Sequence, residues 1–311
     1  MRTNPMELRP PKARRRPVGR RVAGLGAREL EFITGEDRVD KVARPLQKKV
    51  RQLLSSPGGR VAKDFLNGTW LGHPLHPVLT DLPLGTWTAA VAFDAATATG
   101  RTDLDRGARA SLLVGIAGAV GAALTGLADW SDTSKEQRRI GMVHAGANSV
   151  ALLLMIGSVV GRGRGWRGAK LMSLVGLATS MSAAYLGGNL VYRLGTQVDR
   201  TAWSGGLRNF TPAMAEGDLP PERPTRTEVE GVPVMMVRHE GEVYAMEDTC
   251  GHAGCPLSQG HVEDGSIVCP CHGSTYRLTD GAVLHGPSPF AQPTFDVRVE
   301  NGRIALRRRP I

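Results

Sequence analysis

The sequence predicts an α + β multidomain chain: a four-helix transmembrane bundle followed by a small all-β domain. Three observations predict it. Four apolar stretches lie at about 77–99, 110–130, 142–161 and 169–191, each long enough as a helix to cross roughly 30 Å of hydrocarbon. From residue 225 onward the pattern changes to short β-prone runs separated by turn residues. The net charge of +10 belongs to the N-terminal tail. Residues 1–63 hold seventeen Lys or Arg against six Asp or Glu, whereas 64–311 hold twenty-two against twenty-three.

The tail, residues 1–65, is expected to be partly disordered or to form an amphipathic helix. Such a basic segment suits nucleic acid or an anionic membrane surface. The apolar stretches that follow decide for the membrane, and no nucleic-acid partner is expected. Within 36–55, Val39, Val42, Leu46, Val50 and Leu53 recur three or four apart. That spacing predicts a helix lying on the membrane surface, interrupted or kinked at Pro45. The run after Arg20-Arg21 is too short for the apolar core of an export signal, so no cleaved leader is expected.

Residues 66–198 make the membrane domain. Its stretches are rich in small residues, such as Gly115, Gly118, Ala119, Gly121 and Ala122, which let helices approach closely in lipid. The second and fourth show no polar face, which argues against a soluble bundle. The block LGHPLHPVLTDLPLG (71–85), with His144 opening the third helix and GGNLVYRLG (187–195) closing the fourth, resembles an uncharacterised bacterial four-helix membrane family. In an up-down bundle His73, His76 and His144 fall on one membrane face. They are candidates to clamp a haem b, a metal ion or a quinone headgroup, or else to cap helix ends at the interface. Asp81 is expected to pair with His76 or an interfacial base, and Asp94 and Asp129 to sit near helix ends. Nine Lys or Arg flank the helices on the side of the two termini and seven on the other. The positive-inside rule then predicts a multi-pass protein of the cell membrane with both ends, and so the β domain, in the cytoplasm.

Residues 199–224, with Gly205, Gly206, Pro212, Pro220, Pro221 and Pro224, read as a linker. Strands are expected at 229–238 and 243–247 around the turn His-Glu-Gly-Glu. A hairpin is expected within 294–306, because Asn301-Gly302 stands between two β-prone runs.

The domain 225–311 carries the chemistry. All four cysteines of the chain lie within 250–271, in two loops reading CGHAGC (250–255) and CPCHGSTY (269–276). Each loop offers one Cys and one His as ligands: Cys250 with His252, and Cys269 with His272. Two Cys and two His also suit a tetrahedral zinc, although zinc loops usually pair like ligands. The mixed loops resemble those of Rieske proteins, in which one iron of a 2Fe-2S cluster takes two thiolates and the other two imidazoles. The resemblance covers about 225–309 and implies a small β-sandwich. It also implies a disulfide between Cys255 and Cys271, and hydroxyl donors at Ser274 and Tyr276 that raise the potential. A proline loop at Gly286-Pro287-Ser288-Pro289 is implied as well. Ala253 and Gly251 depart from the leucine and threonine that the quinol-oxidising relatives carry. His239, His261 and His285 are expected to be solvated surface residues.

The expected function is that of a membrane-anchored carrier of single electrons, with exchange at an exposed histidine edge. The expected potential lies high in the family range of about −150 to +300 mV. The partner is a redox protein or a quinone. The alternatives are a quinol-oxidising subunit of a respiratory oxidoreductase and an electron donor to a separate oxygenase. A catalytic oxygenase needs a second iron site with two His and a carboxylate. After His272 only His285 remains to supply one.

Overall fold

A computed structural model describes residues 37–310. Most of the basic tail, including Arg20-Arg21, lies outside the described residues. Helix α1 (Asp37–Leu54) runs unbroken through Pro45. Helix α2 (Pro57–Asn67) starts at Ser56, whose Oγ accepts from the Gly59 N–H at 3.1 Å. It ends at Gly68, where φ is +79°.

The four apolar stretches become α3 (Leu75–Ala98), α4 (Asp105–Ser131), α5 (Lys135–Gly163) and α6 (Ala169–Gly188). A π turn at Asn189–Arg193 prolongs α6. Among the described residues three helices are long and apolar enough to cross a membrane: α4, α5 and α6 with its π turn. Helix α3 packs along α4 and α6, but it carries His76, Asp81 and Asp94 in its length. The bundle core gathers Trp87, Ala90, Leu112, Ala151 and Met155. Gly115 is required there, since a Cβ would come 2.2 Å from Trp87 Nε1. Leu113, Leu124, Leu153 and Leu171 point outward, as lipid contact demands.

Charged groups close both ends of the bundle. At the end remote from the β domain, Arg162 Nη1 donates to Asp94 Oδ1 at 2.8 Å and Nη2 donates to Asp94 Oδ2. Ser173 Oγ also donates to that carboxylate, at 3.0 Å. Asp94 therefore does lie near a helix end, and it is paired there. At the other end α1 binds the α4–α5 connection through its polar residues. Arg138 Nε and Arg139 Nη1 donate to Asp40 at 2.9 and 3.2 Å, and Gln47 Nε2 donates to the Trp130 and Thr133 carbonyls at 2.8 and 2.9 Å. The Arg138 guanidinium holds the Asp40 carboxyl down at about 2. Val42, Leu46 and Leu53, the residues whose spacing predicts this helix, face outward.

The C-terminal domain has three antiparallel sheets, ordered β1-β10-β9, β2-β3-β4 and β5-β6-β7-β8. The first holds β1 (Thr211–Ala215), β9 (Phe295–Glu300) and β10 (Arg303–Arg308). The second holds β2 (Thr225–Val229), β3 (Val232–His239) and β4 (Glu242–Glu247). The third holds β5 (His261–Glu263), β6 (Ser266–Val268), β7 (Thr275–Arg277) and β8 (Val283–His285). Two-residue turns at Glu230-Gly231, Glu240-Gly241, Asp264-Gly265 and Asn301-Gly302 all have positive φ at both positions, the geometry that matches strand twist. Strand β1 falls in the segment expected to be a linker. Thr211 and Pro212 pair with Leu306 and Ala305, so this stretch completes a sheet.

Candidate metal centre

The third sheet and the end of β4 present two loops built on one plan. In the first, the Gly254 N–H donates to the Cys250 carbonyl at 2.8 Å, and the Cys250 N–H donates to the Cys255 carbonyl at 2.9 Å. In the second, the Gly273 N–H donates to the Cys269 carbonyl at 3.1 Å, and the Cys269 N–H donates to the Ser274 carbonyl at 2.8 Å. Gly254 and Gly273 have φ of +78° and +80°, a left-handed conformation that glycine adopts without strain. Each turn thus folds a cysteine back over its own loop. Cys255 and Cys271 join the two loops by a disulfide, with Cα atoms 6.4 Å apart.

The ligand side chains sort by type. Cys250 and Cys269 are buried and free of disulfide, within hydrogen-bond reach of each other. Met235, Val237, Met246, Leu257, Ile267 and Leu278 pack around them. The rings of His252 and His272 stand together, centroids 4.8 Å apart and planes at 85°. Burial pushes His252 down to about 3, helped by the charges of His272 and Lys63, and burial lowers His272 as well. Both imidazoles are therefore neutral at ordinary pH, the form that binds a metal. His252 Nδ1 is buried with no hydrogen-bond partner. A buried nitrogen left bare is costly unless something outside the chain takes its lone pair. Among the described residues no three His, Cys, Asp or Glu side chains converge as a single ion requires. Paired thiols and paired imidazoles that do not close on one point fit a two-iron cluster better than one tetrahedral zinc.

Supporting residues surround the thiols. Tyr276 Oη lies 3.3 Å from Cys250 Sγ. Burial raises its phenol far above the ordinary range, so it stays protonated and acts as a donor. Ser274 Oγ accepts from the Ser288 N–H at 3.1 Å, which ties the loop Gly286–Pro289 to the second ligand loop. Gln292 carries no motif that would single it out in the sequence. Its Oε1 accepts from the Gly251 N–H at 3.2 Å, while its Nε2 donates to the Glu247 and Thr249 carbonyls at 2.7 Å each.

The histidine edge is not open to solvent as expected. His252 and His272 are half-buried. The Arg200 N–H donates to the Gly251 carbonyl at 2.9 Å, and Lys63, Arg51 and Asp132 are close enough to act on the ring charges. Asp64 of α2 accepts from His285 Nδ1 and from the Gly286 N–H, both at 2.8 Å. His285 is thus a contact between domains. His239 bonds Glu222 at 2.6 Å, and His261 is exposed, 3.8 Å from Glu263. Ala253, after the first ligand histidine, is exposed.

The membrane histidines divide. His76 and His144 come together, with ring centroids 6.3 Å apart. His73 stays exposed, its Nδ1 on the Pro74 carbonyl at 2.8 Å. Asp81 is exposed as well and does not bond His76, whose Nδ1 is 2.8 Å from the Ala122 carbonyl instead. Asp129 accepts from Asn67 Nδ2 at 2.9 Å and Gln197 Nε2 at 2.7 Å.

Two family models match this chain: Rieske [2Fe-2S] domain over residues 209–296, and predicted membrane protein (DUF2231) over residues 72–200. The ferredoxin component of biphenyl 2,3-dioxygenase from Rhodococcus jostii is 32% identical over 97 residues, covering 31% of this chain and 91% of that protein. The cytochrome b6-f complex iron-sulfur subunit of Chlorobaculum tepidum is 36% identical over 73 residues, covering 24% and 39%. Chlorophyllide a oxygenase of Chlamydomonas reinhardtii is 42% identical over 90 residues, covering 28% of this chain but only 14% of the oxygenase.

Proposed function

This chain belongs to the Rieske 2Fe-2S family, and from that premise we propose that it carries single electrons between redox partners while anchored in a membrane by its DUF2231 domain. The observation that carries this reading is the sorting of the ligands, two buried thiols beside two neutral imidazoles, with His252 Nδ1 left bare.

Cys250 and Cys269 would hold one iron, and His252 and His272 the other. When bound, the cluster takes up or gives up one electron without making or breaking a bond to substrate. The chain's own residues set the terms. Tyr276 donates to the Cys250 sulfur, and the Ser274 hydroxyl, whose oxygen accepts from the Ser288 N–H, is itself hydrogen-bonded to the Tyr276 phenol. Donors of this kind favour the more negative, reduced state and raise the potential. The Cys255–Cys271 bridge and the Gln292 contacts hold the two loops at fixed separation. Redox titration of the membrane-bound protein, followed by electron paramagnetic resonance, tests this. A midpoint in the upper part of about −150 to +300 mV supports the donor roles, and one well below zero rejects them.

The proposed anchor has four spans. Helix α3 has 24 residues, roughly 36 Å at the helical rise. Arg162 neutralises its one buried carboxylate, Asp94. Four crossings and the excess of basic residues on the side of the termini support a cytoplasmic Rieske domain. The domain limits proposed are 1–65, 66–198, 199–224 and 225–311, with β1 assigned to the Rieske fold. The junction of the histidine edge with the membrane domain favours a partner reached through the bilayer, a quinone or a haem b at His76 and His144. A soluble partner, such as an oxygenase component, requires the Asp64 and Arg200 contacts to open first.

A further inference from the structure

The Rieske loops leave two half-buried histidines of the membrane domain without a role. His76 lies in the first turn of α3 and His144 in the third turn of α5. These helices stand diagonally in the bundle, since each packs against both α4 and α6. Their imidazoles nevertheless meet, with centroids 6.3 Å apart and planes at 79°.

The two rings are held in the same way. His76 Nδ1 is 2.8 Å from the Ala122 carbonyl of α4, and His144 Nδ1 is 2.8 Å from the Ala183 carbonyl of α6. A carbonyl only accepts, so each Nδ1 carries the ring hydrogen and each Nε2 is a bare lone pair. Four residues beyond each carbonyl stands a glycine that makes room for the ring. A Cβ at Gly126 would come 2.8 Å from His76 Cε1, and one at Gly187 would come 3.1 Å from His144 Cε1. Each helical hairpin, α3–α4 and α5–α6, therefore brings one imidazole of the same tautomer up against the other's.

An unprotonated Nε2 is a ready acceptor or metal ligand. Asn148 Nδ2, 3.2 Å from His144 Nε2, supplies one donor. Among the described residues none is bonded to His76 Nε2. A metal ion with bonds of about 2 Å to each of two opposed imidazoles sets their centroids roughly 6 Å apart, and each ring is free to turn about its own bond. No third His, Cys, Asp or Glu joins the pair among the described residues, which leaves a bare ion short of ligands. Haem iron needs only two ligands from the protein, because the porphyrin supplies the rest.

We propose that His76 and His144 are the axial ligands of a b-type haem held between the two hairpins, so that the membrane domain is a redox module as well as an anchor. This deepens the cofactor reading above and rests on that reading of the membrane histidines, but not on the Rieske ligands. The redox change is one electron at iron: ferric haem becomes ferrous as a one-electron carrier, such as the reduced Rieske cluster, is oxidised, or the reverse, with both imidazole bonds kept.

The test uses the full chain, solubilised from membranes of a haem-replete host. Pyridine haemochrome and reduced-minus-oxidised spectra are read beside the resonance signal of the reduced Rieske cluster. The expected result is haem b equimolar with the chain, low-spin in the ferric state. His76→Ala and His144→Ala should lower haem content by roughly tenfold or more, and His73→Ala should leave it unchanged. His76→Met should retain haem with a shifted spectrum, which covers the case of an alanine variant that does not fold. A wild-type preparation with the cluster signal and no haem overturns the proposal, as does full haem in both alanine variants. Haem present with no cluster signal would instead strike the Rieske reading alone.

Discussion

Replacing Tyr276 by phenylalanine removes one oxygen and leaves the fold intact. The ring is wholly buried among Met235, Ile267 and Leu278, and phenylalanine fills the same space. What is lost is the donor 3.3 Å from Cys250 Sγ. A hydrogen bond of this sort is worth about 1–1.5 kcal/mol more to the reduced, more negative centre than to the oxidised one. At about 59 mV for each 1.4 kcal/mol in a one-electron couple, the Tyr276→Phe midpoint should fall by roughly 40–65 mV. Redox titration of wild type and variant by electron paramagnetic resonance, at one pH and in one detergent, measures it. Unchanged signal intensity shows that the cluster is retained. A variant that keeps the cluster with its midpoint unmoved or raised refutes the donor role of Tyr276.

Three further outcomes are expected. Changing Cys255 and Cys271 together to serine opens a bridge spanning 16 residues and should cost about 3 kcal/mol, read as cluster loss at lower denaturant; an unchanged denaturation midpoint would show that the bridge does not hold the loops. Arg162→Ala strands the buried Asp94 carboxylate and should destabilise the bundle by about 3–5 kcal/mol, seen as a lower Tm in detergent, with Asp94→Asn in the same background restoring part of it. Asp40 is held at about 2, below its ordinary 3.8, chiefly by Arg138, so its contribution is complete above about pH 4 and is lost as pH falls through 2. Proteolysis within α1 should rise over that window in wild type, whereas Asp40→Asn should be cleaved readily at neutral pH.

The ligand loops were legible because their chemistry is local: Cys-Gly-His and Cys-Pro-Cys-His each lie within one turn, and the turn is closed by the loop's own backbone. The Asn301-Gly302 hairpin was legible for the same reason. Strand β1 was not, since Thr211–Ala215 pairs with a strand some ninety residues later, and its Pro212 suggests only extension. Gln292 and Asp64 act on loops far away in sequence and belong to no pattern. The outward apolar face of α1 shows the limit of periodicity. Spacing identifies an amphipathic helix, yet which face binds protein was decided by Arg138, Arg139 and the α4–α5 carbonyls. The half-covered histidine edge likewise follows from how two domains meet, which neither domain's sequence records.

Iron and acid-labile sulfide, measured on the purified full chain together with the resonance spectrum after reduction, test the central assignment most directly. Iron and sulfide in equal amounts, with the rhombic signal of a reduced, mixed-ligand two-iron centre that is lost in His252→Ala, is the predicted result. Zinc in place of iron, or iron without sulfide, would contradict it.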